Sequence, residues 1–379
     1  MIPLWKFKRE LLRPLHQLID LPFNLASKYF GAIYFDLLKR IKKYTGELPI
    51  TSKIAIYVIF PRTSELNKSH LRSLRYIVDN KYSPIVISNS IINEEQINIL
   101  KKYASIIIVR PNFGYDFGAY RQGILEVLEG DIEAEHILLI NDSCWFPTFD
   151  EVNWIQQAEQ KGLDLVGVTS NYGISRNWGQ KSNPDWTWNY SSKHKNFHYC
   201  SFALLLSKNV IYDTRFIQFW RRFPLTNKKS RVVRRGEIGL TRLIINLGFS
   251  HGETFSIEQL PKKLESLDEF ELKEVLNHLI IPEDRDLLEA YEDIVSVNKI
   301  DSIAMRNFIL RSVARQGASY GLAYFMNHFG ETPFLKKSPF FSNPKARENS
   351  IKILHKLPIE VSNEILTECT LIEKNNEKV

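Results

Sequence analysis

Residues 136–143, HILLINDS, join a short apolar run to three polar residues, and this junction indicates the fold. Residues 136–140 are typical of a buried strand, and Asn141, Asp142 and Ser143 follow where that strand ends. Further apolar runs, separated by amphipathic stretches, lie at residues 54–60, 84–87 and 105–109. Short strands that alternate with helices predict an α/β fold, a mostly parallel sheet with helices on both faces.

Polar residues follow three of these four predicted strands. Because ligands of parallel sheets bind where the strands end, the expected site lies at this edge. Its candidate residues are Asn89 after the second strand, Asn112, Gly114 and Asp116 after the third, and Asn141, Asp142 and Ser143 after the fourth. The sequence contains no GxGxxG and no glycine-rich loop that ends in Lys-Ser or Lys-Thr, which disfavours dinucleotide binding and nucleoside-triphosphate hydrolysis.

Composition and charge narrow the class of protein. With 44% hydrophobic and 25% charged residues, the chain is typical of a globular protein. Residues 1–50 hold nine basic and four acidic residues, with apolar residues at helical spacing. This pattern predicts amphipathic basic helices that either lie on an anionic membrane surface or cover the core of the next domain. A basic face across the folded body, as nucleic-acid binding requires, is not indicated.

Cysteine content and hydropathy predict the compartment. Three cysteines form no plausible disulfide framework and suit a reducing environment. We find neither a signal-peptide pattern nor an apolar run long enough to span a membrane. The prediction is a cytoplasmic protein, peripheral on the inner face of the cytoplasmic membrane.

A spaced set of motifs resembles the rhamnan synthesis protein F family, which belongs to bacterial surface-polysaccharide glycosyltransferases. The resemblance covers roughly residues 53–340. It is carried by Asn112-x-Gly114-x-Asp116-x-Gly118-Ala119, Asn141-Asp142-Ser143, His198-Tyr199-Cys200-Ser201-Phe202, Phe219-Trp220, Glu237 with Gly248, and Pro333-Phe334-Leu335-Lys336. The same elements resemble, more distantly, inverting nucleotide-sugar transferases of the glycosyltransferase-A fold.

This resemblance implies a glycosyltransferase of cell-envelope polysaccharide such as O-antigen. The implied donor is a nucleotide sugar, for instance rhamnose from dTDP-rhamnose. The acceptor would be a growing glycan or a polyprenyl-diphosphate-linked chain, and the transfer would invert the anomeric centre. The implied domains are an amphipathic segment 1–50, a nucleotide-sugar-binding catalytic domain 51–260 and a helical region 261–379, in which we expect no chemistry.

The departing nucleoside diphosphate needs positive charge, and Asp142 would hold a divalent cation, Mg²⁺ or Mn²⁺, for that purpose. The alternative is that Asp142 only caps the following segment. The sequence retains one carboxylate where the wider fold commonly has two or more, which leaves the need for a metal open. Asp116 would accept a hydrogen bond from ribose or sugar, or else serve as a first-turn acid of its helix.

Glu237 would be the general base that takes a proton from the acceptor hydroxyl. The alternative is a solvated carboxylate that the helix dipole favours. Arg234 and Arg235 would neutralise a diphosphate or belong to a solvated loop.

Acceptor contacts are expected from His198 and Ser201, and from aromatic rings that can pack on sugar faces. These rings are Trp178, Trp186 and Trp188. A catalytically inactive glycan- or nucleotide-binding module is the main alternative to an enzyme. A methyltransferase or other α/β enzyme is disfavoured because Pro61-Arg62-Thr63, rather than a glycine-rich loop, follows the first strand.

Overall fold

The computed structural model describes residues 41–62, 65–174, 188–296, 301–329 and 332–376. The predicted helices of residues 1–40 lie outside these ranges, as do Trp178 and Trp186. The strands are β1 (Lys42–Thr45), β2 (Lys53–Ile59), β3 (Ser83–Ser88), β4 (Ile106–Val109), β5 (His136–Asn141), β6 (Cys144–Trp145), β7 (Leu165–Gly167), β8 (Ser170–Asn171), β9 (His198–Tyr199), β10 (Ala203–Ser207), β11 (His251–Glu253) and β12 (Leu335–Lys336).

Eight of these strands form one mainly parallel sheet in the order β1-β4-β3-β2-β5-β10-β7-β11. Strands β4, β3, β2 and β5 are mutually parallel, and Ile56 of β2 lies opposite Ile85 and Leu139. Strand β10 is antiparallel to both of its neighbours, and β1 is antiparallel to β4. The predicted α/β fold with a mostly parallel sheet is confirmed.

Helices in chain order connect and cover these strands. They are α1 (Lys68–Asp79), α2 (Glu94–Lys101), α3 (Tyr115–Glu129), α4 (Trp154–Gln160), α5 (Lys208–Ile211), α6 (Thr214–Arg221), α7 (Lys229–Arg235), α8 (Glu237–Asn246), α9 (Leu260–Glu265), α10 (Glu269–Asn277), α11 (Arg285–Ser296), α12 (Ser302–Gln316), α13 (Ala318–Gly321), α14 (Ala323–His328), α15 (Pro344–Leu354) and α16 (Ile359–Asn376). A 3₁₀ turn spans Ser338–Phe341.

Both faces of the sheet are buried, which explains why its strands are continuous apolar runs. On β2, Ile54 and Ile56 belong to one core, and Ala55 and Tyr57 belong to the other. The first core packs against α3, α6 and α8. The second packs against α1, α4 and the helices beyond residue 260, so these helices share a core with the sheet.

Strand β1 differs from the helix predicted for the end of the first fifty residues. Lys42–Thr45 pairs with β4, where Lys43 lies opposite Ile108. The exposed edge of β4 offers unpaired backbone groups, and pairing with them outweighs the helical spacing of the side chains. Lys43 forms an ion pair with Glu126 of α3. Among the described residues, none of the helices is both long and apolar enough to cross a membrane.

Candidate functional site

Four polar side chains form a hydrogen-bonded chain where β5 ends. Asn141 donates from Nδ2 to Asp116 Oδ2 at 3.0 Å, and its Oδ1 accepts from Ser143 Oγ at 2.5 Å. Lys336 then donates from Nζ to Ser143 Oγ at 2.8 Å. This series fixes the amide orientation of Asn141, and it joins residues from α3, β5 and β12 in one place.

Glu237 lies at the same edge, at the first position of α8. Its Oε1 accepts from Ser201 Oγ at 2.8 Å, and its Oε2 lies 3.2 Å from His198 Nε2. His198 Nδ1 faces the Asn196 carbonyl at 2.8 Å, so both ring nitrogens face acceptors.

The electrostatics keep Glu237 ionised. Burial would raise its pKa, but the hydrogen bond and charge of His198, the hydroxyl of Ser201 and the ammonium of Lys336 hold the pKa below its ordinary value. The side chain is 26% exposed, so a ligand can reach it. Glu237 therefore carries a reachable lone pair at neutral pH.

Asp142 connects two loops at the ends of β2 and β5. Its Oδ2 accepts from the Phe60 N–H at 2.7 Å and lies 3.0 Å from His70 Nε2. Burial would raise the pKa of Asp142, but the bond and charge of His70, with Lys337 and the Phe60 N–H, hold it below the ordinary value. Asp142 therefore does more than cap the segment that follows it, because it also binds Phe60 and His70.

Of Asp116, Asp142 and Glu237, Asp116 is the one whose ionisation is disfavoured. Burial, and then repulsion by Asp142, raise its pKa from 3.8 to about 6, although Lys336 opposes this shift. Such a group, held close to like charges at the end of a sheet, is typical of a functional site.

We expect Asp116→Asn to stabilise the protein at pH 7 by up to about 3 kcal/mol, since each pKa unit corresponds to 1.36 kcal/mol. The raised pKa means that the folded state binds the proton more tightly than the unfolded chain does. Ionisation between about pH 4 and 6 therefore costs stability, and the neutral amide avoids this cost. Urea unfolding at pH 7 and pH 3.5 measures the effect, which should vanish at the lower pH.

Asp213→Asn provides a control of opposite sign. The pKa of Asp213 is lowered to about 2, chiefly by its hydrogen bond from Arg215. The asparagine variant at this position should lose stability at pH 7. Equal destabilisation by both substitutions would show that Asp116 is not held ionised at a cost.

The loop before α3 adopts a left-handed conformation at two successive residues. Gly114, the N-cap of α3, has φ 85° and Tyr115 has φ 50°. A side chain at Gly114 would also place Cβ 2.7 Å from Leu225 Cδ2. The glycine of the Asn112-x-Gly114 motif is therefore required by backbone conformation and by close approach.

Gly114→Ala should lower the free energy of unfolding by about 2–4 kcal/mol, from left-handed strain plus overpacking. Gly248 is a matched control, because it has φ 75° but a Cβ added there would meet no atom within 4 Å. Gly248→Ala should cost only about 1 kcal/mol. Equal losses in urea unfolding would exclude the contribution of the contact with Leu225.

The side chains around Asp142 disfavour a divalent cation that is held by protein ligands alone. Among the described residues, no group of three or more His, Cys, Asp or Glu side chains could hold a metal ion. Asp142 already accepts from Phe60 and faces His70, while Asp116 accepts from Asn141. The ammonium of Lys336 lies close enough to shift the pKa of both Asp116 and Glu237, and it would repel a second cation there.

The structure joins some of the sequence-predicted residues and leaves others apart. Asn89 is buried and accepts from Arg110, so it braces the loop before α3. Asn112 is exposed. Arg234 is exposed as well, and Arg235 lines a cavity with Phe219 and Leu243. Of the basic run, it is Lys229 whose charge acts on Asp116, where it weakly opposes the rise in the pKa.

An aromatic cavity borders the cluster on the side of His198. Trp188, Tyr172 and Tyr320 line it. The ring of Tyr172 lies 5.8 Å from that of His198, and the Tyr320 ring lies 5.8 Å from Lys336 Nζ. Trp188 is thus the one predicted acceptor tryptophan within the described part of the chain.

Sequence reasoning missed two residues of the site. His70 lies in the helix after β2, and no pattern connects it with Asp142. Lys336 lies in the region where we expected no chemistry, and β12 brings it beside Ser143 because this strand pairs with β6. The tetrapeptide 333–336 was a signal available in the sequence.

Comparisons with known proteins agree with the motifs. The family model described as rhamnan synthesis protein F matches residues 84–284, more than half of the chain. The uncharacterised protein y4gN of Sinorhizobium fredii is 29% identical over 235 residues, which cover 62% of this chain and 57% of that protein. The virulence protein VirA of Vibrio anguillarum is 30% identical over 112 residues, 28% of this chain and 36% of that protein. The matches thus span about half or less of these curated relatives.

Two solved structures show a weak likeness. Core-mannan synthase A from Aspergillus fumigatus, in a Mn/GDP form, has a TM-score of 0.29 and 11% identity, covering 55% of this chain and 72% of that one. The mannosyltransferase Ktr4p from S. cerevisiae has a TM-score of 0.29 and 10% identity, covering 53% and 67%. At these scores the likeness carries no conclusion about activity.

Proposed function

Because the chain belongs to the rhamnan synthesis protein F family, we propose that it is a glycosyltransferase acting in polysaccharide synthesis. It transfers a sugar from a nucleotide-sugar donor to a growing glycan. The observation that carries this proposal is the convergence of Asp116, Glu237 and Lys336 at the carboxyl edge of the parallel sheet. The carboxylates provide a general base and accept hydrogen bonds from sugar hydroxyl groups. The ammonium beside them provides a site for an anionic leaving group.

Glu237 is the base in this proposal. It is ionised, reachable and hydrogen-bonded by Ser201 and His198, which hold its carboxylate in one orientation. An acceptor hydroxyl that gives its proton to Glu237 attacks the anomeric carbon as the diphosphate leaves from the opposite side. One displacement of this kind inverts the anomeric centre.

The donor lies across the loop before α3 and the end of β5. Asp116 is ionised above about pH 6 and can accept hydrogen bonds from sugar or ribose hydroxyls. Asn141 and Ser143 fix the positions of the Asp116 carboxylate and the Lys336 ammonium through hydrogen bonds. The left-handed turn at Gly114 brings the exposed loop with Asn112 toward the same edge. Arg234 and Arg235 remain proposed phosphate contacts.

The acceptor enters through the aromatic cavity beside His198. Rings such as those of Trp188, Tyr172 and Tyr320 suit the apolar faces of sugars. The family description, rhamnan synthesis, supports rhamnose as the transferred sugar. The donor we propose is dTDP-rhamnose, and the acceptor we propose is a lipid-linked chain. The membrane surface where such an acceptor is found is the proposed location, and the basic balance of residues 1–50 supports it.

A donor panel tests the proposed function. The purified chain is incubated with dTDP-rhamnose and with UDP- and GDP-sugars, and released nucleoside diphosphate is measured with and without glycan acceptors. A transferase is supported if one donor releases its nucleoside diphosphate and this release is lost in Glu237→Gln. Tight nucleotide binding without release from any donor would instead favour the inactive binding module.

A further inference from the structure

The leaving group of the proposed reaction gains negative charge as the glycosidic bond breaks. A site that accelerates this step must hold positive charge where the diphosphate lies. A divalent cation held by one carboxylate and by the donor phosphates can supply this charge, and so can a cationic side chain that belongs to the site. Lys336 is the cation at the centre of the site.

The surroundings of Lys336 keep its ammonium charged and directed. Nζ donates to Ser143 Oγ at 2.8 Å and lies 4.8 Å from the ring centroid of Phe202. Tyr320 adds a second ring at 5.8 Å. Aromatic faces and a hydroxyl compensate an ammonium for lost water. Burial would lower the pKa of Lys336, but its interactions with Cys144, Tyr320, Cys200 and, last, Glu237 raise it above the ordinary value.

The ammonium also retains capacity for a ligand. A lysine ammonium has three N–H donors, and one of them is used by Ser143. Within the described parts of the chain, Lys336 forms no ion pair with a carboxylate. Its charge nonetheless acts on both carboxylates: it opposes the rise in the pKa of Asp116 and helps to lower the pKa of Glu237. The remaining donors are therefore available for phosphate oxygens.

The fold holds Lys336 rigidly in this position. Strand β12 pairs with β6, with Lys336 opposite Cys144, and the Lys337 N–H donates to the Ser143 carbonyl at 3.0 Å. Phe334 stacks on Phe146 at 4.1 Å between ring centroids. A backbone held by strand pairing and by core packing orients a charge without large reorganisation during reaction.

We propose that Lys336 is the resident cation that binds the diphosphate of the donor, so that nucleotide binding and transfer by this chain need no divalent metal. This inference rests on the proposed function and specifies its leaving-group site. Asp142 then acts as a positioning residue for the ends of β2 and β5. A metal ion beside the Lys336 ammonium would be repelled by it.

Calorimetric titration of the full chain with UDP, GDP and dTDP, each in EDTA and in excess Mg²⁺ or Mn²⁺, tests the proposal. At least one nucleoside diphosphate should bind with a Kd that changes less than about threefold between the two conditions. Lys336→Met should weaken that binding about 10- to 100-fold, the range of a charge-assisted hydrogen bond. Lys336→Arg keeps the positive charge, so its affinity for the nucleoside diphosphate should fall less than that of Lys336→Met.

Lys102→Met is the matched control. Lys102 is exposed and follows α2, at the edge of the sheet where β4 begins rather than ends. The Lys102→Met variant should bind the nucleoside diphosphate with the Kd of the wild type. Thermal unfolding of each variant shows whether it is folded. If Lys336→Met does not fold, the wild-type comparison with and without EDTA decides alone.

Two results would overturn the proposal: binding that requires Mg²⁺ or Mn²⁺, or unchanged affinity in folded Lys336→Met. Either would leave the proposed transferase intact, with a metal at its diphosphate site or with another cationic side chain there. Absence of binding by every nucleoside diphosphate in both conditions would contradict the proposed function itself.

Discussion

Glu237→Gln should lower kcat by about 10²- to 10⁴-fold, the contribution of a general base. The amide keeps the size of the side chain and one oxygen that can accept from Ser201. It has no lone pair basic enough to take the proton of the acceptor hydroxyl. The proposed donor contacts are Asp116 and Lys336, so the Kd of the nucleotide sugar should stay within about threefold. Steady-state rates and donor titration measure both quantities.

Glu265→Gln is a control for the same chemical change at an exposed glutamate of α9. Its kcat should equal that of the wild type. The pKa of Glu237 lies below 4.5, so its own protonation should not reduce activity until the pH falls below that value. A loss of less than tenfold in kcat, or a collapse of donor affinity, would show that Glu237 is not the base.

Asp142→Ala should lower the free energy of unfolding by about 2–4 kcal/mol and transfer by about 10²-fold. Alanine leaves the Phe60 N–H and the buried His70 ring without their acceptor, and the ends of β2 and β5 lose a fixed connection. Asp142→Asn retains an acceptor oxygen. Its loss in stability should therefore be smaller by at least about 1 kcal/mol. Urea unfolding and initial rates check the two variants.

The stability that Asp142 contributes should depend on pH in one direction. Its pKa is below 3.8 in the folded protein, so the contribution is complete above about pH 4 and is lost as the pH falls through the folded value. Asp79→Ala, at an exposed position that ends α1, should change stability by less than about 0.5 kcal/mol at any of these pH values. If Asp142→Ala unfolds at the wild-type urea concentration, the interactions with Phe60 and His70 contribute nothing to stability.

The sequence predicts the sheet well because its strands are buried on both faces. An apolar run such as residues 136–140 has few structural alternatives, and the polar residues after it mark the end of the strand. The direction of each strand relative to its neighbours is not predicted by its apolar character. The run that forms β10 has the same apolar character as β5, yet it is antiparallel to it, because pairing depends on the path of the chain rather than on the run itself.

The candidate site was predictable only where it is local in sequence. Asn141, Asp142 and Ser143 are adjacent, and Asp116 follows the preceding strand, so the rule for parallel sheets brings them together. Lys336 is about 190 residues away from Ser143, and no periodicity relates the two. Asn89 also follows a strand at this edge, where its side chain accepts a hydrogen bond from Arg110, and its contact with the donor stays a prediction.

Pairing of β12 with β6 also sets the order in which the protein can mature. Synthesis proceeds from the amino terminus, and domains form as their segments emerge. Strands β2 to β11 emerge before β12, but they share one core with the helices beyond residue 260 and with Phe334 and Leu335. The fold, and with it the position of Lys336 beside Ser143, is therefore complete only after these last segments have been made. Competence for the proposed donor binding arises late in synthesis, once β12 joins β6.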